Sequence, residues 1–171
     1  KLTEKSEMNP ISPYGESKVM MENEIIKNIK KYNLNYVILR FFNIYGLGQS
    51  SEYAGVITKF IKKIETNKPL EIFGDGMQTR DFISINDVVD SIFYSIKNGE
   101  NQTYNIASGN PITIKYLAEL MISLYKKDLK IIYNDIKKGD IRFSEADISL
   151  AKKELEYIPK YTVESIKNLL N

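Results

Sequence analysis

The chain has 171 residues, 43% hydrophobic and 27% charged, with a formal net charge of +2, a composition that suits a globular protein with one sizeable core or part of a larger one. It has no cysteine and no histidine, which excludes disulfides, thiol nucleophiles, serine–histidine triads and the usual transition-metal sites, so no metal is expected. Basic residues are spread along the chain, which argues against nucleic acid as a partner. No apolar run reaches the roughly 20 residues of a membrane span. The first ten residues, KLTEKSEMNP, lack the apolar centre of a signal peptide. A cytoplasmic protein with no membrane partner is expected.

Residues 14–31 read as an amphipathic helix, with Val19, Met21, Ile25, Ile26 and Ile29 near one stripe and Asn33 suited to its end. Residues 35–42, NYVILRFF, form the continuous apolar run of a strand buried on both faces, as in a parallel α/β sheet. Residues 43–52 read as a loop at its carboxyl end, where ligands bind in open α/β sheets. A helix over 54–66, a strand over 70–73 and a half-buried strand over 80–85 follow, then a helix over 87–98 capped by Asn86 or Asp87. A strand at 103–106, a helix from Thr113 to about Tyr125 and a strand at 130–133 come next. The polar loop 137–142 precedes helices near 148–155 and 163–170.

Tyr14 and Lys18 stand four apart at the start of the first helix, so their side chains share a face. A free phenol, with a pKa of about 10, is ionised in about one molecule in a thousand at pH 7. A nearby ammonium favours the phenolate and makes tyrosine a usable acid and base. Tyr133 and Lys137 repeat the spacing across a strand end and a turn, where four residues do not bring side chains together. With 12 tyrosines in the chain, one match by chance is expected. Spacing alone thus leaves an ordinary helix start open for Tyr14. The arginines are Arg40, Arg80 and Arg142. Either arginine is kept here for planar, bidentate recognition of phosphate or carboxylate, or the three fell where they did without such a role.

Five segments in order carry a resemblance: SPYGESK at 12–18, LRFFNIYG at 39–46, LEIFGDGMQTRDFISINDV at 70–88, YNIASG at 104–109 and GDIRFSEADIS at 140–149. Together they resemble the carboxyl-terminal half of an extended short-chain dehydrogenase of the NAD-dependent epimerase/dehydratase family, closest to nucleotide-sugar epimerases of the UDP-glucose 4-epimerase type. The implied fold is α/β. Residues 1–45 and 81–109 would form the carboxyl-terminal part of a Rossmann-like doubly wound sheet, and 46–80 with 110–171 a small mixed substrate-binding domain. The family's glycine-rich cofactor turn and its upstream serine or threonine are not in this sequence, so the chain is expected to be a substrate-side half and inactive alone.

The resemblance implies NAD as cofactor and a UDP-sugar as substrate, with transient oxidation at sugar carbon 4 and Tyr14 as acid and base. Tyr14, Lys18 and Phe42 would contact the cofactor, and Asn43, Ile72, Phe73, Arg80, Asp140 and Arg142 the substrate. Bland roles stay open for several of these: core packing for Phe42, turn formation for Asn43, strand burial for Ile72 and Phe73. Lys137 stands where some relatives carry a phosphate-binding arginine, and lysine supplies the charge but not the fork. Arg40 is expected at the sheet edge or on a carboxylate. A homodimer through the helix at 14–31 is implied. A 4,6-dehydratase or reductase of the same superfamily, and a non-catalytic binding or dimerisation module, are the alternatives.

Overall fold

The computed structural model describes residues 1–49, 55–137 and 139–169. In chain order the elements are α1 (Pro13–Tyr32), β1 (Val37–Phe41), β2 (Asn43–Tyr45), α2 (Val56–Glu65), β3 (Leu70–Phe73), β4 (Thr79–Arg80), β5 (Phe82–Ser84), α3 (Ile85–Asn98) and β6 (Gln102–Ile106). There follow β7 (Ile112–Thr113), α4 (Ile114–Leu124), β8 (Ile131–Asn134), β9 (Phe143–Ser144), α5 (Ser149–Glu154) and a 3-10 helix over Val163–Leu169. Part of the expected loop 43–52 and residue 54 of the second expected helix, like residue 170 of the last, lie outside the described residues.

Helix ends follow their local chemistry. The Ser12 hydroxyl accepts from the Gly15 N–H at 3.1 Å, and Pro13 occupies the first turn, where a missing N–H costs nothing. Asn33 closes α1 in the left-handed conformation at φ 52°, its N–H on the Ile29 carbonyl. Thr113 caps α4 as expected. The start of α3 is a correction: Ser84 is the cap, accepting from the Asn86 N–H. Asp87 instead accepts from the backbone N–H groups of Lys160 and Tyr161, tying α3 to the chain's last segment.

Among the described residues, four small sheets carry the strands. β1 pairs with β6, β2 with β5 and β3 with β8, all parallel; β4 lies antiparallel to β7 and parallel to β9. The parallel pairs are joined through helices, the βαβ arrangement expected of this class. Three strand expectations need correction. Asn43–Tyr45 is a strand, not a loop, because its partner is β5, about forty residues on. The expected strand at 80–85 is two, broken at Asp81, whose buried carboxylate accepts from the Ser108 N–H, the Ser108 hydroxyl and the Gly109 N–H. β1 is less buried than its apolar run implies: Ile38 is buried, its neighbours are half-buried and Phe41 is exposed.

Two cores result. Around the first gather Ile57, Phe60 and Ile64 of α2, Leu70 and Ile72 of β3, and Leu117 and Met121 of α4. The second holds Ile83, Val88, Tyr104 and Ile106 together with Ala151, Leu155 and Tyr157. Residues 146–157, assigned by the expected boundaries to the small domain, therefore pack with β5, α3 and β6. β5 serves both cores. Its side chains alternate, so Phe82 faces the first and Ile83 the second, and Phe82, Ile83 and Ser84 are all buried. The half-buried alternation expected there does not hold, because both faces of β5 are covered. Gly46, just past β2, admits no side chain: a Cβ there would lie 2.4 Å from Ile85 Cγ2.

Arg40 of β1 reaches Glu22 of α1 with Nε at 2.9 Å and Nη2 at 2.6 Å, and its Nη1 donates to the Glu4 carbonyl. The expected carboxylate pairing is thus observed. No described helix is long and apolar enough to cross a membrane.

Candidate functional site

A cavity of about 790 Å³ lies between α2, β3 and the segment around residue 140. It is a size that accepts a small organic ligand. Ile72 and Phe73 at the end of β3, Phe82 of β5 and Phe60 of α2 give it apolar walls. Its charged lining is mostly positive. Lys59, Lys62, Lys63, Lys68, Lys137 and Arg80 face Glu71 and Asp140.

The cavity brings together Asn43, Ile72, Phe73, Arg80 and Asp140, which come from four separate segments. Asn43 opens β2, and its side-chain amide donates to the Asp81 carbonyl at 3.1 Å. Arg80 closes β4 and pairs with Asp140, 60 residues away. Its Nη1 also donates to the carbonyls of Thr79 and Ile141 at 2.7 and 2.6 Å. The carboxylates that most closely follow Arg80 in sequence, Asp81 and Asp87, are engaged elsewhere, by Ser108 and Gly109 and by Lys160 and Tyr161. Burial pushes both of these carboxyls above the ordinary range, although the backbone bonds they accept pull the other way.

Arg142 is placed differently from its expected role. Its fork sits on Asp75, with Nη1 at 2.6 Å and Nη2 at 2.8 Å, and it does not line the cavity. The Arg142 guanidinium, joined by the Met77 N–H, holds the Asp75 carboxyl at about 2. Phe42 also stands off the cavity, packed against the second core, and its N–H donates to the Ile106 carbonyl at 3.0 Å.

Tyr14 and Lys18 do share a face of α1. The Lys18 ammonium lies 5.3 Å from the centre of the Tyr14 ring. Tyr14 is 72% exposed, and neither it nor Lys18 lines the cavity. A phenol and an ammonium presented to solvent side by side form a donor set for the hydroxyls of a ribose. The pair therefore fits the nicotinamide-ribose end of NAD. The glycine-rich turn that would cradle the pyrophosphate is not in the sequence.

Three features of the cavity were not foreseen. Lys59, Lys62 and Lys63 stand at helical spacings of three and four, so the sequence did signal one basic face of α2. Lys137 lies over the Phe73 ring, its ammonium 3.7 Å from the centroid, a cation–π contact that neither residue type announces alone. Gln78 donates to the Phe73 carbonyl at 2.7 Å, and its buried Oε1 has no partner among the described residues.

Parallel strands joined by helices, with a tyrosine–lysine pair on the face of one helix, define a Rossmann-like chain of the extended short-chain dehydrogenase class. A model of the NAD dependent epimerase/dehydratase family matches residues 1–107, and the chain belongs to that family. It is 35% identical over 164 residues to a UDP-glucuronate 4-epimerase of Thermodesulfobacterium geofontis, covering 95% of this chain and 50% of that protein. Among solved structures it is similar to UDP-glucose 4-epimerase of Thermotoga maritima, crystallised with UDP-glucose. That match has a TM-score of 0.93 and 33% identity, over 97% of this chain and 54% of the other. The dTDP-glucose 4,6-dehydratase of Bacillus anthracis, crystallised with NAD, matches with a TM-score of 0.89 and 28% identity, over 98% of this chain and 53% of the other. The chain thus spans about half the length of the relatives it matches.

Proposed function

We propose that this chain is the substrate-side half of an NAD-dependent nucleotide-sugar 4-epimerase, and that its cavity holds the nucleoside diphosphate part of a UDP-sugar. The observation that carries this reading is the single cavity uniting Arg80, Asp140, Ile72 and Phe73 under a rim of lysines. A nucleoside diphosphate needs those properties together: an apolar wall for the base, an acceptor for ribose hydroxyls, and cations for the phosphates. Asn43 also lines the cavity and offers a further polar contact. Arg142 is left to position its own loop rather than to bind phosphate.

NAD, when bound, supplies the oxidation and reduction at sugar carbon 4. Tyr14 would take the proton from the 4-hydroxyl and return it to the same oxygen as the epimeric alcohol forms. Lys18 holds the nicotinamide-ribose hydroxyls and keeps positive charge beside the phenol. Phe42, between β1 and β2, would contact the nicotinamide. Residues 1–45 and 81–109, joined by 146–157, belong to the cofactor-binding part, and the rest to the substrate part. Exposed Met20, Met21, Ile25 and Ile26 on α1 support a homodimer through that helix.

The likeness to an NAD-bound 4,6-dehydratase favours a second reading, in which the same site binds a dTDP-sugar for elimination of water. Calorimetric titration of the chain with UDP and dTDP tests the shared site. Micromolar to low-millimolar binding of either, lost in Arg80→Ala, is expected; binding of neither retires the reading. Product analysis by NMR after incubation of the intact enzyme with NAD and either UDP-glucose or dTDP-glucose separates a 4-epimer from a 4-keto-6-deoxy sugar.

A further inference from the structure

Arg80 meets the cavity with both terminal nitrogens engaged. Nη1 donates to the Thr79 and Ile141 carbonyls, at 2.7 and 2.6 Å, and these two bonds fix the plane of the guanidinium. Nη2 donates to the Asp140 carboxylate. The two side chains are 14% and 31% exposed, so the pair sits in the cavity wall with one side open to solvent. Asp140 also lines the cavity. An anion that enters and seeks Arg80 finds a carboxylate already on Nη2.

The contacts on Nη1 go to neutral carbonyls of the backbone and need not change when an anion arrives. The contact on Nη2 is ionic and exchangeable: a phosphate oxygen offers the same charge-assisted bond with a larger charge behind it. Exchange leaves Arg80 paired throughout, so the guanidinium is never left as an uncompensated charge. It does leave Asp140 without its cation. A released carboxylate needs donors, and the vicinal hydroxyls of a ribose supply them in the same cavity.

We propose that Arg80 and Asp140 act as a contact-exchange pair: the diphosphate displaces Asp140 from Nη2, and the freed carboxylate takes the ribose hydroxyls. The inference rests on the sugar-nucleotide reading of the cavity and adds to it a source of selectivity. Asp140 opposes every anion that lacks a hydroxyl-bearing neighbour, because such an anion displaces the carboxylate and gives it nothing in return. Phosphate and pyrophosphate are held back, while a nucleoside diphosphate offsets the displacement through its ribose.

The test is calorimetric titration of the chain with pyrophosphate and with UDP, in wild type, Asp140→Ala and Glu71→Gln. Glu71 lines the same cavity and pairs with Lys63 at 2.6 Å, so its variant reports the effect of merely removing a negative charge. Asp140→Ala is expected to tighten pyrophosphate binding and to shrink the preference for UDP over pyrophosphate by about tenfold, the scale of one charge-assisted hydrogen bond. Glu71→Gln is expected to move both ligands alike and leave the preference unchanged. Weaker pyrophosphate binding in Asp140→Ala, or an unchanged preference, overturns the exchange. Should Asp140→Ala unfold at the assay temperature, Asp140→Asn decides: it keeps an acceptor for Arg80 without the charge, and the preference must again shrink. UDP binding with no change of preference sinks the exchange alone. Failure of wild type to bind UDP and pyrophosphate removes the cavity reading and this inference together.

Discussion

The guanidinium of Arg40 grips the carboxylate of Glu22 with two nitrogens, and in doing so joins β1 to α1. The Glu22 side chain is 11% exposed and the Arg40 side chain 23%, so the pair is largely out of water. Such a pair is costly to break on one side, because the remaining charge is left without its partner. Its hydrogen bond to Glu22 raises the Arg40 pKa further, against the effect of burial. Glu22→Gln removes the charge and keeps the shape. We expect it to lower stability by about 1.5–3 kcal/mol, the range for hydrogen bonds to charged groups. Chemical denaturation checks this, and an unchanged midpoint would show that α1 is docked by other contacts.

Tyr14 projects from the helix that Glu22 anchors, and removing its hydroxyl deletes a proton acceptor without touching the cavity. In the intact enzyme of which this half is proposed to be part, Tyr14→Phe should lower turnover by roughly 10²–10⁴-fold, the usual contribution of a general acid–base group. UDP affinity should stay within a few-fold, because Tyr14 does not line the cavity. A variant with wild-type turnover would remove Tyr14 from the chemistry.

Arg80→Lys preserves charge and loses the fork. The wild-type guanidinium serves two carbonyls and a carboxylate at once, which one ammonium on a flexible stem cannot reproduce. The UDP dissociation constant should rise about tenfold, equivalent to about 1.4 kcal/mol. A loss of thermal stability with unchanged UDP affinity would make Arg80 purely a strut for the loop.

The Asp75–Arg142 pair gives a pH dependence whose sign follows from the direction of the shift. The folded-state value, about 2, lies below the ordinary 3.8. The pair's stabilisation is therefore present above pH 3.8 and is lost as pH falls through about 2. Both side chains are about half exposed, so solvent screens the pair and its effect on stability is small. The direct check is an NMR titration of the Asp75 carboxyl carbon. Arg142→Gln should move its midpoint up toward the ordinary value, and a native midpoint already there would mean the fork is not closed in solution.

Local chemistry was readable in the sequence, and distant pairing was not. Ser12, Pro13 and Asn33 bound α1 through contacts within a few residues, so the helix and the shared face of Tyr14 and Lys18 could be inferred. β2 could not be told from a loop, because three residues form a strand there only when β5 lies beside them. The cap of α3 was misplaced for a related reason: Asp87 looks like a cap until Lys160 and Tyr161 arrive to use its carboxylate. Of the substrate residues, Arg80 and Asp140 were identified singly through the resemblance. That each is the other's partner depends on a fold bringing together positions 60 residues apart. Arg142, of the same residue type as Arg80 and in the same loop as Asp140, instead closes its fork on Asp75, a pairing that again depends on distant residues meeting.

Phe82 and Ile83 are consecutive, yet one belongs to each core. The peptide bond between them is a physical link through which disorder in one cluster reaches the other, since neither side chain can leave its place without pulling the shared strand out of register. The two clusters should accordingly melt as one cooperative unit rather than as separable foldons. Amide exchange at Ile64 and at Tyr104, one in each core, would then occur through a common opening, and the slowest protons of both halves would report the same free energy.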